Sequence, residues 1–448
     1  MFFLVIYNRI FFTFSLIAIL TSISSCQPAL RDLTGELQSS ITDNVLIAKE
    51  NALILNKLLQ KEKNKGTTIQ LPKGITWIGE PIIVPSGITM SGHPLGSQLA
   101  ISAAMQNVKE GFIVNENYVL YTAAKDDNIV LQNFTLQANG IKPATGQPRG
   151  IYFNKVHQVA IKNIQVFNTV AEGIRIDASN VEQTSENVSV LNCLINKRGS
   201  DHPCIMVRSF TDDGTNSTNI ATMVSEITLQ GNTCIGGGQG ILLFNTAKIN
   251  VLENTCIANL YRGIIAGPTC ENIIIRKNKV DSAGSTGIHM AYFSRNILID
   301  SNVVTNSIAD LSGKGGEGQG IKAYVGFTGL SIINNTCINN ATDGIALEGG
   351  AYGSKFIITG NRCEKNKRNG IRIWAGKLYA DKRGDIESGL IENNKLSDNL
   401  EEGLFIGSDD NGRSKVRDLK ARKNTIKVLP GRKKMSIEHT AADVVIEQ

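Results

Sequence analysis

At 448 residues, with 42% apolar and 19% charged side chains, the chain has enough apolar surface to fold and too much to be disordered. Glycine is plentiful at 43 residues and proline sparse at 10, a balance that fits many tight turns in a β-rich chain. The formal net charge of +6 favours an anionic partner over a cationic one and identifies nothing further.

Residues 1–25 read as an export signal. Arg9 is the one charge before an apolar run, residues 10–20, that is too short to span a bilayer. The run leads into Ile23-Ser24-Ser25-Cys26. Aliphatic, small, small, cysteine resembles the bacterial lipobox, which implies cleavage before Cys26 and acylation of its thiol and amine. Two or more acyl chains anchor stably. The expectation is a lipid-anchored protein of the cell envelope, at the outer membrane or cell surface.

Residues 26–66 hold a linker and, over 43–63, an amphipathic helix in which Leu46, Leu53, Leu55, Leu58 and Leu59 mix with Lys and Glu. Asp43 is expected to cap it and Gly66 to end it. Its expected role is a lid over the open end of a strand-rich body that begins at Thr67. Residues 67–92 alternate in period two and are broken by Pro72-Lys73-Gly74 and Pro85-Ser86-Gly87, which predicts short strands joined by tight turns.

The later chain repeats. Asn254, Asn278 and Asn302 are 24 residues apart (278−254 and 302−278), and Gly263 and Gly287 keep the same step. A period in the twenties with strand-like alternation marks a solenoid. An Asn followed nine residues later by Gly and an apolar strand recurs at Asn335/Gly344, Asn361/Gly370 and Asn394/Gly403. Between Asn302 and Gly320 the excess is a Gly-rich insertion, 309–317, which belongs in a turn. Asn suits the repeat because it tolerates left-handed backbone and its amide can hydrogen-bond from coil to coil.

Eight cysteines less Cys26 leave seven. Cys234, Cys256, Cys337 and Cys363 each sit two residues after a repeat Asn, so they share one stacked interior position. That position and the odd total favour buried free thiols over disulfides. No Cys/His spacing suits zinc.

The repeat resembles the right-handed parallel β-helix of pectate lyases, alginate lyases, chondroitinase B and mannuronan epimerases, over about residues 67–448. The resemblance implies an all-β chain, a single-stranded right-handed parallel β-helix with an N-terminal capping helix. It implies a substrate lying on the outward residues of one parallel sheet. It does not imply one reaction, since the fold also carries hydrolases, tailspikes and adhesins.

By that analogy the Gly-apolar strand is the substrate sheet, with the first residue after Gly pointing in and the next out. The early outward pairs are Tyr152/Asn154, Arg175/Asp177 and Met206/Arg208, the last in a register the sequence leaves open. The middle coils offer Leu242/Phe244 and Ile265/Gly267. The late coils carry His289/Ala291, Lys322/Tyr324, Ala346/Glu348, Arg372/Trp374 and Phe405/Gly407. At about 4.8 Å per coil, His289 and Lys322 are expected to be neighbours and Lys322 and Arg372 roughly 10 Å apart. Tyr324, Glu348 and Trp374 form a second file.

Such a cleft suits an acidic, uronate-containing polysaccharide. β-Elimination needs a base beside the carboxylate, a cation on that carboxylate and a donor to the leaving oxygen. Lys322 or His289 is the expected base, Arg372 the bidentate carboxylate partner and Tyr324 the proton donor. Glu348, Trp374 and Arg208 are the expected substrate-binding residues. Epimerisation begins with the same proton abstraction, so a mannuronan C5-epimerase-like reaction is the alternative. A non-catalytic glycan-binding surface is another, because polar outward residues also suit a solvated face. A glycoside hydrolase would need clustered carboxylates on adjacent coils.

A rival site is Ser200-Asp201-His202-Pro203, near Arg175, Asp177 and Arg208. It is similar to the Asp-Pro-His-Asp signature of mannuronan epimerases but departs from it, with the order Asp-His-Pro and no second Asp. Asp409-Asp410 reads as an Asx-rich turn, with calcium as the alternative. The basic residues from Arg413 to Lys434 read as a solvated face or a polyanion track. No metal ligands and no certain cofactor are assigned, nucleic acid is not expected as a partner, and a monomer is expected.

Overall fold

The computed structural model describes residues 29–40, 42–108, 110–178, 184–197, 199–209, 223–309, 317–376, 384–408, 414–438, 441 and 443–447. Cys26 with the export signal, Asp409-Asp410, Arg413 and most of the 309–317 insertion lie outside the described residues.

Every third strand pairs with the next, in parallel, to build three sheets of 15, 13 and 13 strands. Each coil therefore adds one rung to each sheet, and the chain is a parallel β-helix. Its interior is made of in-register stacks. In the sheet that carries the candidate site, Ile264, Ile288, Ile321, Ile345 and Ile371 lie directly above one another, all fully buried. Each buried isoleucine contributes about 1.5–3 kcal/mol, and its β-branched shape suits the strand.

The glycine that precedes this stack is required by close approach between coils. A Cβ on Gly320 would meet the Gly344 carbonyl oxygen at 2.7 Å, and one on Gly344 would meet that of Gly370 at 2.7 Å. Any side chain there would push two coils apart.

The repeat asparagines form a buried ladder. Asn254, Asn278, Asn302, Asn335, Asn361 and Asn394 are fully buried. Each accepts at Oδ1 from the backbone N–H and side-chain amide of the Asn one coil earlier, as Asn278 does from Asn254 at 2.9 and 3.0 Å. They do not carry the left-handed backbone. That falls on the residue before each: Glu253, Lys277, Ser301, Asn334, Gly360 and Asn393. A second, shorter ladder runs through Asn340, Asn366 and Asn399.

The seven cysteines among the described residues are free and buried, as expected. Cys234 pairs in register with Cys256 and Cys337 with Cys363, while Val280 and Val304 fill the same position between the pairs.

The N-terminal helix spans Val45–Glu62 and buries Ala48, Ala52, Leu55, Leu58 and Leu59 against strands Gly74–Ile78 and Ile82–Val84. Its cap is Asn44, whose Oδ1 accepts from the N–H groups of Leu46 and Ile47. Asp43 instead accepts from the Ala103 N–H at 2.9 Å, tying the helix entry to the first coils. At the other end four members of the basic run are ion-paired along the sheets, as Arg417–Asp385, Arg422–Glu392, Lys420–Glu447 and Lys427–Asp398.

Candidate functional site

Strands Ile288–Ala291, Ile321–Tyr324, Ile345–Gly349 and Ile371–Ala375 are consecutive rungs of one sheet. Their register sets His289 beside Lys322, then Ala346, then Arg372, and sets Tyr324 beside Glu348, then Trp374. Counting from glycine gives the two outward files correctly.

His289, Lys322, Ala346, Glu348 and Arg372 are buried and not solvated, while Tyr324 and Trp374 are half-buried. Glu348 is the hinge of the group: its Oε2 lies 3.0 Å from Lys322 Nζ and its Oε1 accepts from Arg372 at 2.9 Å. Ala346 separates the two cations and leaves room for the carboxylate. The Arg372 guanidinium lies 3.3 Å from the Trp374 ring centre, and Lys322 Nζ lies 4.9 Å from that of Tyr324. Stacking and ion pairing therefore fix both cations in place. A groove of about 490 Å³, lined by Arg368, Arg372, Glu402, Phe405, Arg432 and Lys433 among others, opens beside Arg372.

His289 is only 3% exposed, and neither ring nitrogen has a hydrogen-bond partner among the described residues. Burial, with the charge of Arg262, holds its pKa well below the ordinary imidazole value; Lys322 adds to this and Glu317 opposes it. The ring is neutral at pH 7. Glu317 ion-pairs with Arg262 at 3.2 Å and accepts from Ser285 and Thr286. Burial raises Glu317, but Lys322, His289 and Arg262 outweigh it and hold the carboxyl at about 2.

Sequence reasoning misses Arg262. The signal is present, since the residue before the repeat glycine is polar in coil after coil: Arg149, Glu172, Arg262, Gln319, Asp343, Asn369 and Glu402. These residues stand at the entrance to the same strands.

The rival site is also assembled. Arg175 ion-pairs with Asp177 at 2.6 Å and with Glu172 at 3.0 Å, and Glu172 also holds Arg149 at 2.8 Å. The Tyr152 hydroxyl donates to Asp177 at 3.2 Å and accepts from Asn154 at 2.8 Å, with Tyr118 edge-on at 5.1 Å. His202 Nδ1 reaches Glu172 at 3.9 Å. Burial raises Glu172, but His202, Arg175 and Arg149 hold its carboxyl well below the usual range. Burial, then the charge of Glu110, pushes Tyr118 up to about 12.

Arg208 belongs to this upstream group. It lies in register with Asp177 and 5.0 Å over the Phe244 ring, and burial followed by the charge of Arg175 lowers its pKa to about 10. Four coils separate its strand from that of Lys322, roughly 19 Å along the axis. The sequence-derived site residues thus fall into two groups on one sheet.

Residues 198–324 match the family model described as a right-handed β-helix region. The chain is a right-handed parallel β-helix. This β-helix is similar in structure to the A-module of the Azotobacter vinelandii mannuronan C-5 epimerase AlgE4, at 12% identity and a TM-score of 0.59, over 92% of this chain and 99% of that one. The periplasmic alginate epimerase AlgG matches at 13% identity and a TM-score of 0.50, over 86% of this β-helix and 77% of that chain. PfbA, a surface adhesin of Streptococcus pneumoniae, matches at 12% identity and a TM-score of 0.50, over 90% and 93%. Comparison with curated proteins finds no match. Epimerases and an adhesin share this backbone, so the likeness fixes the fold alone.

Proposed function

We propose that this β-helix acts on an acidic, uronate-containing polysaccharide laid along the site sheet, and cleaves it by β-elimination at the His289, Lys322 and Arg372 end. The observation that carries the reading is a buried neutral imidazole with both nitrogens unpartnered among the described residues, one coil from an ammonium and three from a guanidinium. A buried polar group without a partner calls for an explanation, and proton transfer supplies one.

In this reading His289 removes the proton from the carbon beside the carboxylate. Lys322 and Arg372, held by Glu348, neutralise the charge that develops on that carboxylate. The ion pair with Glu348 makes Lys322 a cationic partner and leaves the base role to His289. The electron pair forms the carbon–carbon double bond, the glycosidic carbon–oxygen bond breaks, and Tyr324 protonates the leaving oxygen. Trp374 flanks the sugar, and the upstream group around Arg175 and Arg208 extends the track. That two structural neighbours bear the names of mannuronan and alginate epimerases supports the substrate class. Anchoring at the cell envelope through acylated Cys26 belongs to the same proposal, and loss of fatty-acid labelling in Cys26→Ser tests it.

The test is incubation with alginate, pectate and glycosaminoglycans while following the ultraviolet absorbance of the unsaturated product. No gain on any of them overturns the lyase. A change in uronate composition by NMR without chain cleavage assigns epimerisation instead, and new reducing ends without unsaturation assign hydrolysis. The second reading is a non-catalytic glycan-binding surface, favoured by the ion pairs through which Glu348 holds both Lys322 and Arg372. It expects retention on the polymer with no product.

A further inference from the structure

Where the site strands end, two residues adopt backbone that their side chains resist. Tyr292 (φ 49°) and Phe293 (φ 63°) lie consecutively in the left-handed region, which is uncommon for bulky side chains. One coil on, the matching corner is Val325-Gly326, bonded through the Phe293 N–H to the carbonyls of Val325 and Gly326. A Cβ on Gly326 would meet the Phe293 ring at 2.6 Å. The Phe293 ring therefore lies across that glycine and reaches Tyr352 on the coil beyond, with ring centres 6.3 Å apart and tilted by 41°.

Neither ring is core: Phe293 is 41% exposed and Tyr352 46%. Tyr292, the residue before Phe293, joins this pair to the candidate site. Tyr292 packs edge-on against Tyr324 at 6.1 Å, and Tyr324 lies 6.5 Å from His289. The fold has placed two left-handed residues and a bare glycine where they hold an exposed aromatic pair at the end of the site strands. The corner itself takes left-handed backbone, as Val325 and Gly326 do one coil on, but nothing in that geometry calls for an exposed ring.

We infer that Phe293 and Tyr352 form an aromatic shelf that takes the apolar C–H face of a pyranose ring, a unit of the same polymer next to the one at His289. Aromatic faces pack well against such surfaces, and the pair presents two rings across three coils. The inference rests on the polyuronate reading for its occupant, but the shelf recognises the ring and not its charge. It sets which end of the chain extends beyond the reacting unit.

Affinity electrophoresis of the full chain tests it, in gels holding a polyuronate or the same polymer with its carboxyls reduced to alcohols. Phe293→Asn and Tyr352→Ala are expected to weaken retention about three- to tenfold on both polymers. Phe293→Tyr keeps the ring and is expected to keep retention. Lys322→Met is expected to weaken retention on the charged polymer alone. Because Asn tolerates left-handed backbone, Phe293→Asn is also expected to hold or raise Tm while binding falls. Unchanged retention in both shelf variants, or a lowered Tm in Phe293→Asn, overturns the shelf and leaves the polyuronate reading standing. Retention of the unaltered protein on the reduced polymer only overturns the polyuronate reading and keeps the shelf. No retention on either polymer overturns both.

Discussion

Glu348 Oε2 lies 3.0 Å from Lys322 Nζ, on adjacent rungs and almost out of contact with water. Its other oxygen holds Arg372 at 2.9 Å. Removing the charge in Glu348→Gln leaves two buried cations without their shared anion, and breaking a buried pair costs about 3–5 kcal/mol. Chemical denaturation is expected to show a loss of that order, with a fall in turnover of any uronate polymer. Changing all three residues to apolar ones of similar volume is expected to restore stability without activity.

The asparagine ladder makes a stability prediction independent of any function. Asn278 accepts from the Asn254 N–H and amide at 2.9 and 3.0 Å, and donates to the Val251 carbonyl and Asn302 Oδ1, both at 2.9 Å. Asn278→Ala takes a partner from buried donors and acceptors on the two neighbouring coils, worth about 1–3 kcal/mol for each group left unsatisfied. Equilibrium unfolding is expected to show a loss of about 3–5 kcal/mol. Asn278→Asp is expected to be at least as severe, because a carboxylate cannot donate to Val251 or Asn302.

The contrast between these two sites explains what the sequence made legible. A strand repeat converts position into geometry: once Gly263, Gly287, Gly320, Gly344 and Gly370 are aligned, the period of two decides which side each residue takes. That placed His289, Lys322, Arg372, Tyr324, Glu348 and Trp374 in two files. It did not reveal the pairing, because Glu348 reaches diagonally past Ala346 to a cation on either side, and side-chain reach is not periodic. Nor did it reveal that His289, Lys322, Glu348 and Arg372 are buried. Arg208 belongs to the other group because register fixes direction along the strand but leaves the number of coils between residues to be counted. Asp43 is a good cap in sequence, but Asn44 takes that place and Asp43 turns to the Ala103 N–H.

Lys197 provides a pH test within the upstream half. It is fully buried and its ammonium donates to the Ala171 carbonyl. Burial lowers its pKa to about 8, against opposing charges on Cys204, Glu172 and Asp201. The unfolded chain, with a lysine pKa near 10.4, then binds more protons than the folded one between roughly pH 8 and 10.4, so stability contributed at this site rises with pH through that window. Thermal unfolding of the parent protein and Lys197→Met is expected to diverge there. The parent gains at most about 1.4 kcal/mol per pH unit relative to the variant, and the two run parallel below pH 8.

His289 titrates with the same sign in a lower window, and there stability and catalysis are expected to part. Its folded pKa is depressed, first by burial, so below about pH 6.5 the unfolded chain takes up a proton that the folded chain refuses. Stability present above that pH is therefore lost as pH falls toward the folded value. His289→Asn is expected to remove this slope, which unfolding midpoints at successive pH values from 7.5 downward would reveal. The activity profile moves the other way. A base that stays neutral keeps working as the solution becomes mildly acidic, so turnover of a uronate polymer is expected to hold through pH 6.5, where an ordinary histidine would be half protonated. Loss of the base in His289→Asn is expected to cost 10²–10⁴-fold in kcat/KM. A variant with full activity, or an acid limb centred at 6.5 in the parent protein, would remove His289 from the base role and return the upstream group around Asp177 and His202 to first consideration.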